Sequence, residues 1–139
     1  MTRDTLPAIT KRLDALVSQI VRVRDRYCVT CHQPVLFNGD GLPITLTCSH
    51  FIRRGHQAVR WHLSNCNCQC SGCNQYHDRD QRPYTLYMVA KYGKHVVSEL
   101  EGASFRTKSF TRPDLLDLEV ELRSELEGLL AKNEFKETP

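Results

Sequence analysis

The chain has 139 residues, enough for one domain with a modest core and too few for two ordinary ones. Apolar residues at 40% and charged residues at 25% exclude a disordered or fibrous protein, and apolar stretches broken by Arg or Lys every few positions exclude a membrane span. Behind a net charge of +3, residues 1–112 carry 16 Lys and Arg against 8 Asp and Glu, a net +8, while residues 113–139 carry 3 against 8, a net −5, so the first part is the one expected to meet phosphates.

Pro7 suits a first helical turn, and Ile9, Leu13, Leu16, Val17 and Ile20 recur at helical spacing, which predicts a helix over residues 7–24. Arg22, Arg24 and Arg26 alternate with Val21, Val23 and Asp25 and read as its end unwinding toward Cys28, so that 7–26 form an N-terminal helix and lead-in. Beyond Cys31, the turn residues Asn38-Gly39-Asp40-Gly41 lie between Val35-Leu36-Phe37 and Ile44-Thr45-Leu46-Thr47, a hairpin pattern whose second arm delivers His50. Residues 51–63 form a basic and aromatic loop with Arg53, Arg54, Arg60, His56, His62 and Trp61 around Gly55. From Asn65 to Cys70 the alternation is strict, so a strand turns Asn65, Asn67 and Gln69 to one side and Cys66, Cys68 and Cys70 to the other. Pro83 opens a further helix with Leu86, Val89 and Ala90 on one face and Gly93 as its stop. After Pro113, Leu115, Leu118, Leu122, Leu126 and Leu129 mark an amphipathic helix over 113–133, expected to pack on the N-terminal helix or against a second copy of the chain.

No signal-type apolar run occupies the N-terminus, which points to the cytoplasm, where thiols stay reduced; seven cysteines there argue for metal ligation over disulfides. Cys28-x-x-Cys31 and Cys70-x-x-Cys73 each present two thiolates on a short turn, and two such turns complete the tetrahedral shell of a structural zinc ion. Zinc–thiolate ligation contributes on the order of 10 kcal/mol to the folding of small modules, replacing core that a short domain lacks. Cys48, Cys66 and Cys68 remain, as buried small hydrophobes or as members of a swapped ligand set.

Arg53, Arg54 and Arg60 are candidates for phosphate contact, with Arg24 and its neighbours Arg22 and Arg26 extending the surface and Arg79 and Arg82 adding to it. Arg24 and Asp25 read alternatively as pairing with each other's neighbours to lock the knuckle. No segment has the Arg, Asn and Gln richness of a recognition helix, so backbone shape is expected to matter more than base sequence.

Arg24-Asp25 ahead of the first cysteine pair, Ser49-His50-Phe51-Ile52-Arg53-Arg54-Gly55, and Arg60-Trp61 followed by Asn65 form one set of matches. With Gln69-Cys70-Ser71-Gly72-Cys73-Asn74, Tyr84 and Lys91-Tyr92-Gly93, they make residues 20–100 resemble the HNH endonucleases, and among them the phage NinG/Rap recombination proteins. The resemblance implies an α+β fold, one domain over 1–139 in which a zinc-clamped ββα-metal core at 27–95 is flanked by N-terminal and C-terminal helices. It implies a structure-selective, metal-dependent DNA endonuclease that acts on branched recombination intermediates such as Holliday junctions or D-loops. Zn2+ is then the structural ion and Mg2+ or Mn2+ the catalytic one. Carried over residue by residue, His50 is the general base, Asn65 its orienter and Asn74 a ligand of the catalytic cation.

Where many family members carry an acidic residue or His before the base, this chain has Ser49. His77, one turn past Asn74, is then expected to supply a ligand, while Asp80 offers an oxygen or caps the next helix. Ser49 also supports a different class of function, a non-catalytic zinc-ribbon DNA-binding module. A third reading is an adaptor working through the leucine-rich tail. Cutting symmetric junctions would suit a homodimer.

Overall fold

In the computed structural model, which describes residues 4–137, helix α1 runs from Leu6 to Asp25. Thr5 caps it by accepting from the Ala8 amide at 3.2 Å, and Pro7 fills the first turn, where no backbone donor is needed. Arg26 ends it in the left-handed region, φ 67°, so Arg22 and Arg24 stay helical rather than unwinding. The stripe Ile9, Leu13, Leu16, Val17 and Ile20 is buried, together with Val21 and Val23.

Helix α5, Arg112–Glu137, opens on a reciprocal capping box in which the Asp114 amide donates to Thr111 Oγ1 and the Thr111 amide donates to the Asp114 carboxylate. It lies along α1, burying Leu115, Leu122 and Leu126, with Leu118 and Leu129 partly covered. Across this apolar seam Arg12 grips the buried Glu119 with two hydrogen bonds, 2.8 and 3.0 Å. The acidic tail therefore packs on the N-terminal helix, the first of the two arrangements its leucine stripe allows.

Strands β1, Thr47–His50, and β2, Cys66–Gln69, form a two-stranded antiparallel sheet with Cys48 opposite Cys68 and His50 opposite Cys66. All four residues of β2 are buried because both faces are covered. Its cysteine face meets α1, and its amide face meets α2, Ser71–His77, and α3, Arg82–Tyr92. Helix α4, Lys94–Ser104, which the sequence pattern did not announce, folds back from Gly93 at φ +88° and buries Val97 and Leu100 with Phe51, Val59, Tyr84 and Met88. The architecture is α+β, and none of the described helices is long and apolar enough to cross a membrane.

Two expectations need correction. The hairpin around Asn38 closes only locally, through Phe37 and Pro43 and the Ile44 amide on the Leu36 carbonyl. Leu46, at φ 65°, breaks its second arm, so the strand that carries His50 pairs with β2 instead. Helix α3 buries Tyr84 and Met88, whereas Leu86 is 72% exposed. Polar pairing decides that rotation: the Tyr84 hydroxyl donates to the Ser49 carbonyl at 2.8 Å and accepts from the Asn67 amide at 3.1 Å, satisfying two groups in the interior.

Leu122 is 4% exposed and Val120 69% on the same helix. Leu122→Ala is expected to lower the unfolding free energy by about 2–5 kcal/mol, and Val120→Ala by less than about 0.5 kcal/mol, in urea titrations. Equal effects would contradict the packing of α5 on α1.

Candidate functional site

The first cysteine turn is closed by the Cys28 amide on the Gln33 carbonyl at 2.8 Å and the His32 amide on the Cys28 carbonyl at 2.9 Å, with His32 at φ 68°. In it the Cys31 amide donates to Cys28 Sγ at 3.4 Å, and the second turn repeats the contact from the Cys73 amide to Cys70 Sγ at the same distance. Cys70 thereby caps α2 as well. The Val29 amide on the Cys68 carbonyl stitches the first turn to β2. These bonds bring all four sulfurs within 4.8 Å of one another, with Cys31 and Cys70 at 3.7 Å.

Tetrahedral zinc with Zn–S near 2.3 Å separates its sulfurs by about 3.8 Å, so donor set and spacing both fit the ion. Burial alone would push the Cys28 thiol up, yet the amides of Cys31, Cys70 and Thr30 lower it to about 7, whereas burial and the neighbouring sulfurs push the Cys73 thiol up. Cys28, Cys31, Cys70 and Cys73 would hold the ion, and its role there is to tie two distant turns together.

His50 ends β1, and its Nε2 lies 3.0 Å from the Arg60 carbonyl. A carbonyl only accepts, so Nε2 carries the proton and Nδ1 keeps a lone pair. Burial lowers the pKa of the ring below the usual histidine value, against the pull of the Arg60 carbonyl and Asp14, and the imidazole is neutral at pH 7. The ring borders two clefts of about 310 and 280 Å3 that share Cys48 and Arg54. Asn74 and Asp78 line the second.

Asn65, expected to orient His50, does not reach its ring. The fully buried amide accepts from the Ile52 N–H at 2.8 Å and donates to the carbonyls of Ile52 and Val59 at 3.0 and 3.1 Å. It pins both ends of the loop after His50, and since Arg60 follows Val59 it places the carbonyl that holds the His50 ring. The positioning is indirect.

Asn74 Oδ1 accepts from Ser49 Oγ at 2.9 Å, joining α2 to the residue before His50. The Asn74 amide oxygen and the Asp78 carboxylate, on the same cleft, are the donor type that Mg2+ or Mn2+ takes while keeping several waters, whereas Ser49 is buried behind them. Asp78 escaped the sequence reading, although its position four residues after Asn74 places both on one helical side.

His77 does not supply the expected ligand: its Nε2 lies 3.1 Å from the Phe51 carbonyl, its Nδ1 is buried, and its ring packs between Phe51 and Tyr84. The apolar neighbours on either side draw the ring inward. Asp80 takes the capping alternative, bonded to the Arg82 amide and guanidinium at 2.8–3.0 Å.

The arginines divide. Arg24 is not on a phosphate-facing surface: its guanidinium bonds Asp25, the carbonyls of Leu63 and Cys66, and Asn67 Oδ1, at 2.8–3.1 Å. Asp25 in turn accepts from the Cys68 amide, so the pair locks β2. Arg60 is held by Asp14, which also accepts from the Trp61 indole at 2.8 Å. Arg53, Arg54 and Arg79 are exposed.

Residues 5–133 match the NinG family, described as the bacteriophage lambda NinG protein. No curated protein and no solved structure gives a match.

Cys31 is exposed, so Cys31→Ser removes no buried apolar surface. If zinc joins the two turns, this variant loses several kcal/mol and melts more than about 10 °C below wild type by circular dichroism. A melting point within about 2 °C of wild type would contradict the clamp.

Proposed function

Taking as premise that the chain belongs to the family of the bacteriophage lambda NinG protein, we propose that it is a metal-dependent, HNH-type DNA endonuclease that hydrolyses phosphodiesters in branched DNA. The observation that carries this reading is His50: neutral, held by the Arg60 carbonyl through Nε2, and bordering a cleft with Asn74 and Asp78. In this reading the two antiparallel strands followed by α2 are the ββα frame, with the cysteine clamp at the junction of β2 and α2.

In this reading Nδ1 of His50 takes a proton from a water as that water attacks phosphorus. Arg53 and Arg54, exposed beside His50 on the same cleft, contact the DNA backbone, with Arg79 beyond α2. Asn65 and the Arg60 carbonyl keep the ring aimed. A Mg2+ or Mn2+ ion bound at Asn74 and Asp78 would neutralise developing charge on the phosphate. Branched substrates, recombination intermediates above all, follow from the sequence resemblance. The leucine stripe of α5 is already taken by α1, so a homodimer on paired strands would use another face. The host-cell cytoplasm is the expected place of action.

A second reading, a non-catalytic zinc-ribbon module that binds DNA, is favoured by one observation: the residue before His50 is a neutral serine already bonded to Asn74.

Cleavage of matched duplex, single-stranded, flap and four-way DNAs with Mg2+ and with Mn2+ separates the two. The nuclease reading predicts preferential cutting of branched DNA, reduced at least about 100-fold in His50→Ala with binding intact. Since only the neutral ring accepts a proton and burial lowers its pKa, the acid limb of the cleavage profile should lie below that of an ordinary histidine, with activity retained at pH 7 and lost only at more acidic pH. Binding of junctions without cleavage under either metal would sink the enzyme reading.

A further inference from the structure

One face of the two-stranded sheet sets beside His50 two thiols that neither the clamp nor proton transfer uses. Cys48 and His50 are two residues apart on β1 and share a face, and Cys66 stands opposite His50 on β2. Their sulfurs and a ring nitrogen lie within 4.8 Å of one another. Besides the four-cysteine cluster, this is the one group of metal-competent side chains so gathered among the described residues.

We propose that Cys48, His50 and Cys66 form a second, weaker zinc site, and that filling it takes His50 out of proton transfer. The second half of this statement rests on the role assigned to His50 above; the first does not. Two thiolates and an imidazole are soft to borderline donors that select Zn2+ over Mg2+. Three protein ligands with a fourth position open to a cleft is the pattern of an accessible zinc ion rather than a closed structural one. The approach is built: Cys48 and His50 both border the cleft of about 310 Å3 that also meets Asp14, Arg22 and Arg54, and both are half-buried, while Cys66 closes the inner side. Zinc would need its three ligands about 3.6–3.8 Å apart. The group therefore closes by up to about 1 Å from its present spread, within reach of small side-chain rotations.

An outer partner is already in place. The Arg60 carbonyl accepts from His50 Nε2 at 3.0 Å and from Cys66 Sγ at 3.4 Å. With the proton kept on Nε2, the lone pair on Nδ1 is the one the ring offers an ion. Cys48 and Cys66 each release a thiol proton to solvent on binding, and the Cys66 sulfur turns from that carbonyl to the ion. The electron pair that would take a proton from water is the pair that would bind zinc, so the two uses exclude each other.

The test uses the full chain. Wild type and Cys48→Ala are equilibrated with buffered Zn2+, metal content is measured, and the His50 imidazole nitrogens are followed by NMR. Wild type should bind two equivalents, the second more weakly, with the His50 resonances moving as the second enters. Cys48→Ala should keep the first equivalent and lose the second. One equivalent in wild type, a second equivalent that survives Cys48→Ala, or unmoved His50 resonances each overturn the proposal. Because Cys66 is fully buried and its replacement risks misfolding, Cys48 is the position changed. In four-way DNA cleavage with Mg2+, zinc at the concentration that fills the second site should slow wild type at least 10-fold and Cys48→Ala less than about 3-fold. Two equivalents with moving His50 resonances but no cleavage under any metal would leave the site standing and remove the nuclease reading instead.

Discussion

Four sulfurs gathered within 4.8 Å join segments whose facing members, Cys31 and Cys70, are 39 residues apart, and most of the site's geometry descends from that junction. One turn follows α1 and is stitched to β2 through Val29; the other caps α2. Between them lie the local hairpin, β1, the basic loop and β2. A sheet of two four-residue strands is too small to be stable alone. Metal at the junction would remove much of the chain entropy that such a sheet cannot offset by its own burial.

The second constraint is polar and buried. Arg24 and Asp25, at the end of α1, bond the carbonyl of Cys66 and the amide of Cys68, so the last turn of a helix serves as a partner for a strand with both faces covered. Asn67 passes the connection on to Tyr84 and Tyr92 of α3, and Tyr84 returns it to the Ser49 carbonyl beside His50. An arginine inside the protein is costly unless paired and fully bonded, and here Asp25 supplies the charge while two carbonyls and an amide oxygen supply the rest. His50 is thus approached from both sides, by α1 through β2 and by α3 through Ser49.

Much of this was legible in the residues. The cysteine spacing announced the clamp, the strict alternation from Asn65 to Cys70 gave the two faces of β2, and the leucine stripe found α5. What failed did so where a tertiary polar partner overrode local pattern. Leu86 looked like core by periodicity, but the hydroxyl of Tyr84 was needed inside. Arg60 looked like a free basic residue, and Arg24 like either that or part of a lock on the knuckle; each is consumed by a carboxylate from a helix or helix end, Asp14 or Asp25. His77 had ligand spacing on α2, yet its side faces Phe51 and Tyr84. Asp78 and the grouping of Cys48 and Cys66 around His50 depended on strand register and on the length of α2, which composition does not reveal.

The central claim is that the clamped frame presents His50 as a neutral ring with its proton fixed on Nε2. The nitrogen-15 shifts of the His50 imidazole in protein carrying one zinc per chain test it most directly. The account predicts a protonated Nε2 and an unprotonated Nδ1 at pH 7, with that distinction lost when a chelator removes the ion. The opposite tautomer, or a doubly protonated ring at neutral pH, would contradict it.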